Sequence, residues 1–415
     1  PSITAYSLSA ITWTEATPAG AADKNWNSIA SDADGSVLIA AISEGRIYLS
    51  TDSGSTWSEI QPAGNANKNW RTVASDADGS VLIAGVYGGR IYRSTNSGST
   101  WSEIQPAGDV DKDWIFAKLN NDGTNITTAY RGGWASYWPS CSGEYDGAIY
   151  NSSNSGSSWT SQAIDSAIIK LASSVDGSVL LASKFGLFCG TRTGLYSSTD
   201  SGANWSEYDS SNLWYGIDSD EDGSNLIAGR FGGRLYKSTN SGTSWTEIQP
   251  AGDADRNWYA AASDSDGSNL IVGNDTRLYI STDSGSTWSE TRPAGDVDKA
   301  WVNASSDSDG SNLMAFVNYE RIYVSPPPAV FTQEHFKIYQ DDAALNSATQ
   351  YGAEDTNYNV PASTNFRIRF EVSNTGSTAG NITRRLEFKQ DSGSWTQINT
   401  YSNYVRLQDS TNFAD

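Results

Sequence analysis

Short apolar segments separated by polar turns follow one another along almost the whole chain. Between Trp70 and Gln105, an alternating segment (WRTVAS) is followed by an Asp-Gly turn, an apolar segment (VLIAG), a segment that begins Arg-Ile-Tyr, and a last segment that begins at Trp101. Alternating or short apolar runs bounded by Gly, Asp and Ser predict β-strands. This stretch is therefore predicted to form four antiparallel strands.

The same four-segment unit recurs seven times. Its Asp-Gly turns are 43 to 54 residues apart, at Asp34, Asp78, Asp122, Asp176, Asp222, Asp266 and Asp309. A fixed period in this range is typical of propellers and solenoids, and four antiparallel strands per unit are typical of a propeller blade. We therefore expect an all-β fold built as a ring of seven blades.

A second turn, of the form Ser-x-Asp/Asn-x-Gly-x-x-Trp, follows the third strand of six units. Its acid or amide position is occupied by Asp52, Asn96, Asn154, Asp200, Asn240 and Asp283. A short carboxylate or amide accepts N–H groups inside its own turn, Gly adopts the left-handed conformation at low cost, and Trp fills an apolar gap. Because three copies have Asn, we expect a structural role for this position.

These six turns resemble the Asp-box, or BNR repeat, of sialidase-like propellers, and the resemblance covers most of residues 10–325. The fourth-strand tryptophans number seven, and the first of them, Trp13, precedes any complete unit, whereas the last unit ends at Ser325 without such a turn. The N-terminal segment is therefore predicted to complete the last blade. Sialidases resemble six-bladed rings, so this chain is more similar to seven-bladed Asp-box rings such as the photosystem II assembly factors. The resemblance implies that ligands bind on the face opposite the turns.

Three parts of the chain are expected. Residues 1–325 form the propeller, residues 326–330 a proline-rich linker, and residues 331–415 an Ig-like β-sandwich that is either incomplete or completed by another chain. The strands expected in this last part are Phe331–Tyr339, Asn365–Ser373, Ile382–Gln390 and Trp395–Asn399.

Charge and hydropathy exclude two classes of partner. The chain has 27 Lys and Arg against 48 Asp and Glu, a formal net charge of −21. Such a surface repels phosphate backbones, so nucleic-acid binding is not expected. No apolar run approaches the roughly 20 residues of a membrane span.

Two sets of repeated residues have a functional and a structural interpretation. Six tryptophans in the loops that enter each blade would stack on sugars or on a partner chain, or would pack between blades: Trp26, Trp70, Trp114, Trp214, Trp258 and Trp301. Five arginines that open third strands would clamp a carboxylate or form a structural ladder: Arg46, Arg90, Arg234, Arg277 and Arg321. Because both sets occupy repeated positions, the structural interpretation is favoured for both.

Blades 3 and 4 depart from the repeat in neighbouring loops, which makes them the predicted ligand patch. Its candidate residues are Arg131, Trp134, Tyr137, Trp138, Lys184 and Arg192. The same loops carry the only two cysteines, Cys141 and Cys189, and we expect a disulfide between them, which implies an oxidising, extracytoplasmic setting. The alternatives are two unrelated free thiols, and loops that merely cover the central channel.

Catalysis has little support in the sequence. The only histidine, His335, lies outside the repeats, which leaves no His-based triad or zinc site. Glu144 and Asp146 are the one carboxylate pair worth testing for glycoside hydrolysis. The Asp32-x-Asp34 pattern matches half of a calcium loop but lacks the other ligands. We expect no metal and no cofactor.

The sequence thus predicts a non-enzymatic extracellular protein with an adhesive or structural role in a cell-surface or virion assembly. Its partners would be another protein or like subunits, with glycans as a further candidate. The alternative is a carbohydrate-binding, lectin-like propeller or a glycoside hydrolase.

Overall fold

The computed structural model describes residues 13–131, 147–164, 167–185 and 193–325 with their side chains. It also describes the backbone of the strands Thr4–Ala5, Phe331–Gln340, Gln350–Tyr351, Phe366–Asn374, Glu387–Phe388 and Thr396–Gln397. Every regular element in these residues is a β-strand. The all-β class is therefore confirmed, and the described residues contain no helix long and apolar enough to cross a membrane.

Residues 13–325 form seven four-stranded antiparallel sheets, the blades of a propeller. In chain order from the innermost strand outward, they are Trp26–Ser31, Leu38–Ile42, Ile47–Ser50 and Ser58–Ile60 in blade 1; Trp70–Ser75, Leu82–Val86, Ile91–Ser94 and Ser102–Ile104 in blade 2; Trp114–Leu119, Ile126–Tyr130, Gly147–Ser152 and Thr160–Ile164 in blade 3; Ala167–Ser173, Leu180–Phe185, Gly194–Ser198 and Ser206–Asp209 in blade 4; Trp214–Ser219, Leu226–Arg230, Leu235–Ser238 and Thr246–Ile248 in blade 5; Ala260–Ser263, Leu270–Gly273, Leu278–Ser281 and Ser289–Thr291 in blade 6; and Trp301–Ser306, Leu313–Val317 and Ile322–Ser325 in blade 7.

The N-terminal segment supplies the missing fourth strand of blade 7. Thr14–Ala16 pairs antiparallel with Ile322–Val324, and the indole Nε1 of Trp13 donates a hydrogen bond to Thr291 Oγ1 of blade 6 at 2.7 Å. The predicted closure of the ring is thus confirmed.

The hydrophobic core is divided among the blade interfaces. The described residues contain seven clusters of buried apolar side chains, one between each pair of neighbouring blades. Between blades 7 and 1, for example, Ala16 and Trp26 pack with Met314 and Phe316. Because each blade buries both of its faces against neighbours, the second strands read as continuous apolar runs.

The turns between first and second strands, here called the inner turns, join the blades around the central axis. A backbone N–H of one inner turn donates to a carbonyl of the next at 2.9–3.2 Å, in the pairs Ala33→Ala77, Ala77→Asn121, Val175→Glu221, Glu221→Ser265, Ser265→Ser308 and Ser308→Ala33. The last pair links blade 7 to blade 1. In the described residues, six of the seven neighbouring blade pairs, all except blades 3 and 4, are therefore joined near the axis.

The turns between third and fourth strands, here called the outer turns, are closed by their own side chains. In blade 1, the Ser50 hydroxyl accepts the Gly54 N–H at 2.9 Å, and Asp52 Oδ1 accepts the Thr56 N–H at 2.8 Å. Ser53 and Gly54 both have positive φ, 54° and 84°. Asn96 in blade 2 accepts its equivalent N–H, from Thr100, at the same 2.8 Å. An amide thus closes the turn as well as a carboxylate does.

The described strands outside the propeller form a second unit. Phe331–Gln340 pairs antiparallel with Thr4–Ala5, Gln350–Tyr351 and Phe366–Asn374, and Glu387–Phe388 pairs with Thr396–Gln397. Two of these strands lie within a residue of the expected Phe331–Tyr339 and Asn365–Ser373. The β-sandwich itself stays a prediction.

Candidate partner-binding face and central channel

The strand order gives the propeller two different faces. Inner and outer turns lie together on one face, here called the turn face, as shown by the Ser53 N–H, which donates to Ser36 O at 3.0 Å. The loops between second and third strands and the loops between blades lie on the other, here called the loop face, where Gly45 forms a β-bridge with Lys68 of the next blade. The loop face is the one that the resemblance assigns to ligands.

The repeated arginines of the loop face are neutralised locally. Arg90 pairs with Glu103, Asp109 and Asp111 at 3.5, 2.8 and 2.7 Å. Arg234 and Arg277 each have three acids in the same arrangement, and Arg321 has two. Arg46 has one acid, Glu59 at 3.7 Å, and donates a hydrogen bond to the Asn65 amide oxygen at 2.7 Å. A guanidinium surrounded by its own acids is not available to clamp a ligand. The geometry agrees with the structural interpretation and accounts for the acidic loops between blades.

The six repeated tryptophans form a ring of buried anchors. Each is 4% exposed or less and packs into the core between its own blade and the preceding one. Most meet the tyrosine of their own third strand edge-on, as Trp301 meets Tyr323 with ring centroids 5.4 Å apart. Their interpretation as exposed stacking platforms is wrong, because these side chains have almost no accessible surface.

The exposed apolar side chains concentrate on the loop face. Of the five large hydrophobic side chains that are exposed among the described residues, four lie in its loops: Val110, Phe231, Val297 and Tyr319, which are 42–65% exposed. The fifth, Tyr208, lies on a fourth strand. Exposed apolar surface gathered on one face is typical of an interaction site.

An aromatic cluster lies beside the mouth of the channel in blades 5 and 6. Tyr215, Phe231 and Tyr259 contact one another with ring centroids 5.9–6.0 Å apart. Tyr215 belongs to the innermost strand of blade 5 and Tyr259 immediately precedes that of blade 6, so both lie at the loop-face end of the strands that line the channel. These three residues are here called the aromatic cluster.

The innermost strands of all seven blades enclose a central cavity of about 320 Å³. Its turn-face end lies against the ring of inner turns, whose backbone hydrogen bonds draw the blades together. On the loop face, the backbone hydrogen bonds of the described residues join loops in pairs, such as Gly45 with Lys68, and do not form a continuous ring.

Basic side chains enter the cavity from blades 2, 3 and 4. Arg71, Lys118 and Lys170 line it, together with Asp218 of blade 5. Lys118 and Asp218 occupy the same level of the channel, since both precede the last paired residue of their strands. The Ser263 N–H donates a hydrogen bond to Asp218 Oδ2 at 2.8 Å. Burial raises the pKa of Asp218, and the charge of Lys118 acts against that rise.

The other two cations repel each other. Burial among the channel walls lowers the pKa of Lys170 to about 8, and the positive charge of Arg71 contributes to that shift. Burial also lowers the pKa of Arg71, and Arg131 of blade 3 lowers it further. Neither Arg71 nor Lys170 forms an ion pair with any carboxylate in the described part of the chain.

The turn-face end of the cavity is acidic instead. Asp32, Asp76, Asp264 and Asp307 line it from the inner turns. Each is less than 5% exposed. Burial raises the pKa of Asp307 to about 7, although the Asn312 N–H and the Ser311 hydroxyl donate to it. The charges in the channel are thus separated along its axis, with cations toward the loop face.

Only part of the predicted ligand patch of blades 3 and 4 lies in the described residues. Trp134, Tyr137, Trp138, Arg192, both cysteines, Glu144 and Asp146 lie outside the described residues. Lys184 is only 5% exposed, and its Nζ lies 4.4 Å from the ring centroid of Tyr196 and 5.1 Å from that of Trp205. The side chain of Lys184 is therefore buried against these two rings, and its place in a ligand patch stays a prediction.

Sequence reasoning missed the aromatic cluster and the channel cations. Three of these residues, Arg71, Tyr215 and Tyr259, fall at one position where the innermost strands vary: Asn27, Arg71, Ile115, Ile169, Tyr215, Tyr259 and Val302 follow one another at the loop-face end of blades 1 to 7. A repeat-by-repeat comparison of that position would have indicated these three, but not Phe231, Lys118 or Lys170. In the described residues, no three His, Cys, Asp or Glu side chains are grouped to hold a metal ion.

Solved structures share this fold, although no protein family and no curated protein matches the sequence. The structure named "YCF48 bound to D1 peptide" is 14% identical with a TM-score of 0.59, and the match covers 77% of this chain and 98% of that one. The GH74 xyloglucanase from Xanthomonas campestris is 16% identical with a TM-score of 0.53; the match covers 78% of this chain but 53% of the enzyme. A propeller in the mitotic checkpoint complex is 14% identical with a TM-score of 0.53, covering 77% of this chain and 92% of that one.

These identities show the fold alone. Similar structures include a propeller with a bound peptide, a propeller within a protein complex, and an enzyme about twice as long as the matched region. The seven-bladed propeller is thus confirmed, and its neighbours include proteins that bind protein partners.

Proposed function

We propose that this protein is a non-enzymatic propeller that binds an extended segment of a protein partner on its loop face, at the mouth of the central channel. The observation that carries the proposal is the aromatic cluster of Tyr215, Phe231 and Tyr259, placed where the innermost strands end. Large rigid aromatic side chains supply much of the binding energy at protein interfaces.

Two further observations support this choice of face. Phe231 is 42% exposed, and the other exposed apolar loop residues, Val110, Val297 and Tyr319, lie on the same face. On the turn face, in contrast, the polar groups form hydrogen bonds within their own turns and between neighbouring blades. The similar structure of YCF48 with a bound D1 peptide is a precedent for peptide binding by a protein of this fold.

The wider role that we propose is adhesion or assembly outside the cell. The net charge of −21 keeps such a surface soluble, and the cysteine pair Cys141 and Cys189 fits an oxidising compartment. The second unit, residues 331–415, would then serve attachment or polymerisation by pairing its strands with another chain.

Selection of binding peptides from a random display library tests the proposed face. Linear peptides enriched on the full-length protein are expected to lose at least about tenfold in affinity for Phe231→Ala, because a central aromatic anchor contributes about 2 kcal/mol or more. Tyr208→Ala is the matched control, since Tyr208 is 41% exposed and Phe231 42%, but Tyr208 lies on a fourth strand. Affinity for that variant is expected to stay within about twofold. Equal losses of affinity in both variants, or peptides whose affinity does not change in Phe231→Ala, would refute the proposal.

The second candidate is a carbohydrate-binding or carbohydrate-cleaving propeller, and the similarity to a xyloglucanase favours it. An aromatic cluster at a channel mouth is also a surface on which sugars stack. Binding to a glycan array that disappears in Tyr259→Ala would favour the lectin. Hydrolysis of a chromogenic glycoside that disappears in Glu144→Gln would favour the enzyme.

A further inference from the structure

We infer that the central channel holds a small free oxyanion, of the carboxylate, sulfate or phosphate class, between Arg71 and Lys170. This site lies deeper in the ring than the aromatic cluster and does not depend on a protein partner. The inference starts from the contrast between these two cations and the repeated arginines of the loop face.

The repeated arginines of the loop face have acids within reach. Arg90, Arg234 and Arg277 each contact three carboxylates, and Lys299 pairs with Glu320. In a chain with 21 surplus negative charges, an acid partner is easy to provide. Arg71 and Lys170 instead line one cavity with no ion pair to a described carboxylate, and the positive charge of Arg71 lowers the pKa of Lys170. Like charges placed together in one cavity repel each other and destabilise the free protein.

The surroundings of the pair favour an anion from the solvent over an internal acid. The carboxylate at the next level, Asp218, is held by the Ser263 N–H and interacts with Lys118. The other acids of the cavity lie at the turn-face end, fixed in the inner turns. Arg131 adds a third positive charge near Arg71 from the loop-face side. An oxyanion that enters from the loop face would therefore meet Arg71 first and Lys170 below it.

The chemistry of the two side chains matches an oxyanion. A guanidinium presents two parallel N–H donors to carboxylate, sulfate or phosphate oxygens, and an ammonium supplies a compact charge with three donors. A cavity of about 320 Å³ is large enough for a small organic acid or an inorganic dianion and lies at the lower end of the volumes of small-molecule sites.

Isothermal titration of the full chain with sulfate, and separately with succinate, tests the site. Both probes stay dianionic between pH 7 and 9. We expect saturable binding at low ionic strength, and at least a tenfold loss of affinity in the Arg71→Gln/Lys170→Met double variant. The control Arg90→Gln/Arg234→Gln removes the same charge from the rim and is expected to change affinity less than threefold. No saturable binding at 20 mM of either probe, or equal losses in both double variants, would overturn the inference.

The pH dependence gives a second readout that a structural role would not move. Lys170 lines the cavity with Arg71, Lys118 and Asp218, and Asp307 lies at its turn-face end; the pKa of Lys170 is lowered to about 8 and that of Asp307 is raised to about 7. Because the charged ammonium binds the anion, affinity for sulfate is expected to fall about tenfold from pH 7 to pH 9. Lys170→Arg is expected to bind sulfate with no such fall. A fall that is unchanged in Lys170→Arg would contradict the assignment.

The stability of the free protein tests the repulsion itself. Removing one of two like charges is expected to raise the unfolding temperature of Arg71→Gln measured without anion. Added sulfate is expected to stabilise the wild type and leave Arg71→Gln unchanged. Destabilisation of Arg71→Gln together with unchanged sulfate stabilisation would assign Arg71 to the framework and refute the site.

Discussion

On the turn face of the propeller, polar side chains bond to the turns that contain them: Ser50 and Asp52 close one outer turn, and Asp307 closes one inner turn. On the loop face, the repeated arginines are likewise paired with nearby acids, whereas the residues at the channel mouth are not. There, the aromatic cluster is accessible, and Arg71 and Lys170 lack a carboxylate partner among the described residues. The two faces thus differ in how far their polar and apolar groups are already used by the fold.

The difference separates what repeats from what varies. Residues that recur in most blades, such as the buried tryptophans and the outer-turn serines, maintain the ring. Residues that occur in one or two blades line the channel and its mouth. In a ring of near-identical units, departures from the repeat at accessible positions are therefore the best guide to binding.

The largest expected difference in stability between a repeated and a variable residue involves two adjacent residues of blade 6. Trp258 is 2% exposed in the core between blades 5 and 6, whereas Tyr259 belongs to the aromatic cluster. Trp258→Ala is expected to lower the free energy of unfolding by about 3–5 kcal/mol, because it leaves a cavity where an indole packed.

Tyr259→Ala is the control for that substitution. It is expected to cost about 1 kcal/mol or less, since its ring packs at an accessible site. Denaturant unfolding of both variants decides the matter, and similar losses for the two would mean that repeated and variable aromatics have the same role.

A smaller change is expected from Asp307→Asn, which should raise the free energy of unfolding at pH 8 by on the order of 2 kcal/mol. Burial raises the pKa of Asp307 to about 7 in the folded protein, against about 3.8 when exposed. The folded state therefore keeps a proton that the unfolded state has lost, and stability falls as the pH rises from about 4 to 7. Above pH 7, the buried charge is a constant cost, which the neutral amide removes.

Blade 3 shows that the amide fits this position. Asn120 occupies the equivalent site, where its Oδ1 accepts the Asn125 N–H at 2.8 Å. Thermal unfolding between pH 4 and 9 is the measurement, and the variant is expected to show a flatter curve. An outer-turn acid behaves in the opposite way, because hydrogen bonds from Thr287 and Ser281 lower the pKa of Asp283 to about 2. A steeper curve for Asp307→Asn would contradict the assignment.

The ring of blades could be predicted from the sequence because every blade repeats the same pattern of segments and turns. The seven Asp-Gly turns gave the blade count, and Trp13, which stands before any complete unit, indicated which segment closes the ring. The outer-turn prediction was correct for Asp and Asn, but the part played by Ser50 and its equivalents became visible only with the hydrogen bonds.

The channel could not be predicted in the same way. Arg71, Lys118, Lys170 and Asp218 lie in four different blades at three different strand positions, so no linear pattern joins them. They meet only because the closed ring brings innermost strands together around one axis. Lys184 is the converse case, since a charge in a variable loop suggested binding, whereas the fold buries its side chain beneath two rings.

Hydrogen–deuterium exchange of the full chain, with and without a display-selected peptide, tests the division between the faces most directly. The account predicts slower exchange in the loop that carries Phe231 and in the segment around Tyr259, with the outer turns of all blades unchanged. Protection confined to the outer turns, or to the outer strand of blade 4 that carries Tyr208, would contradict it.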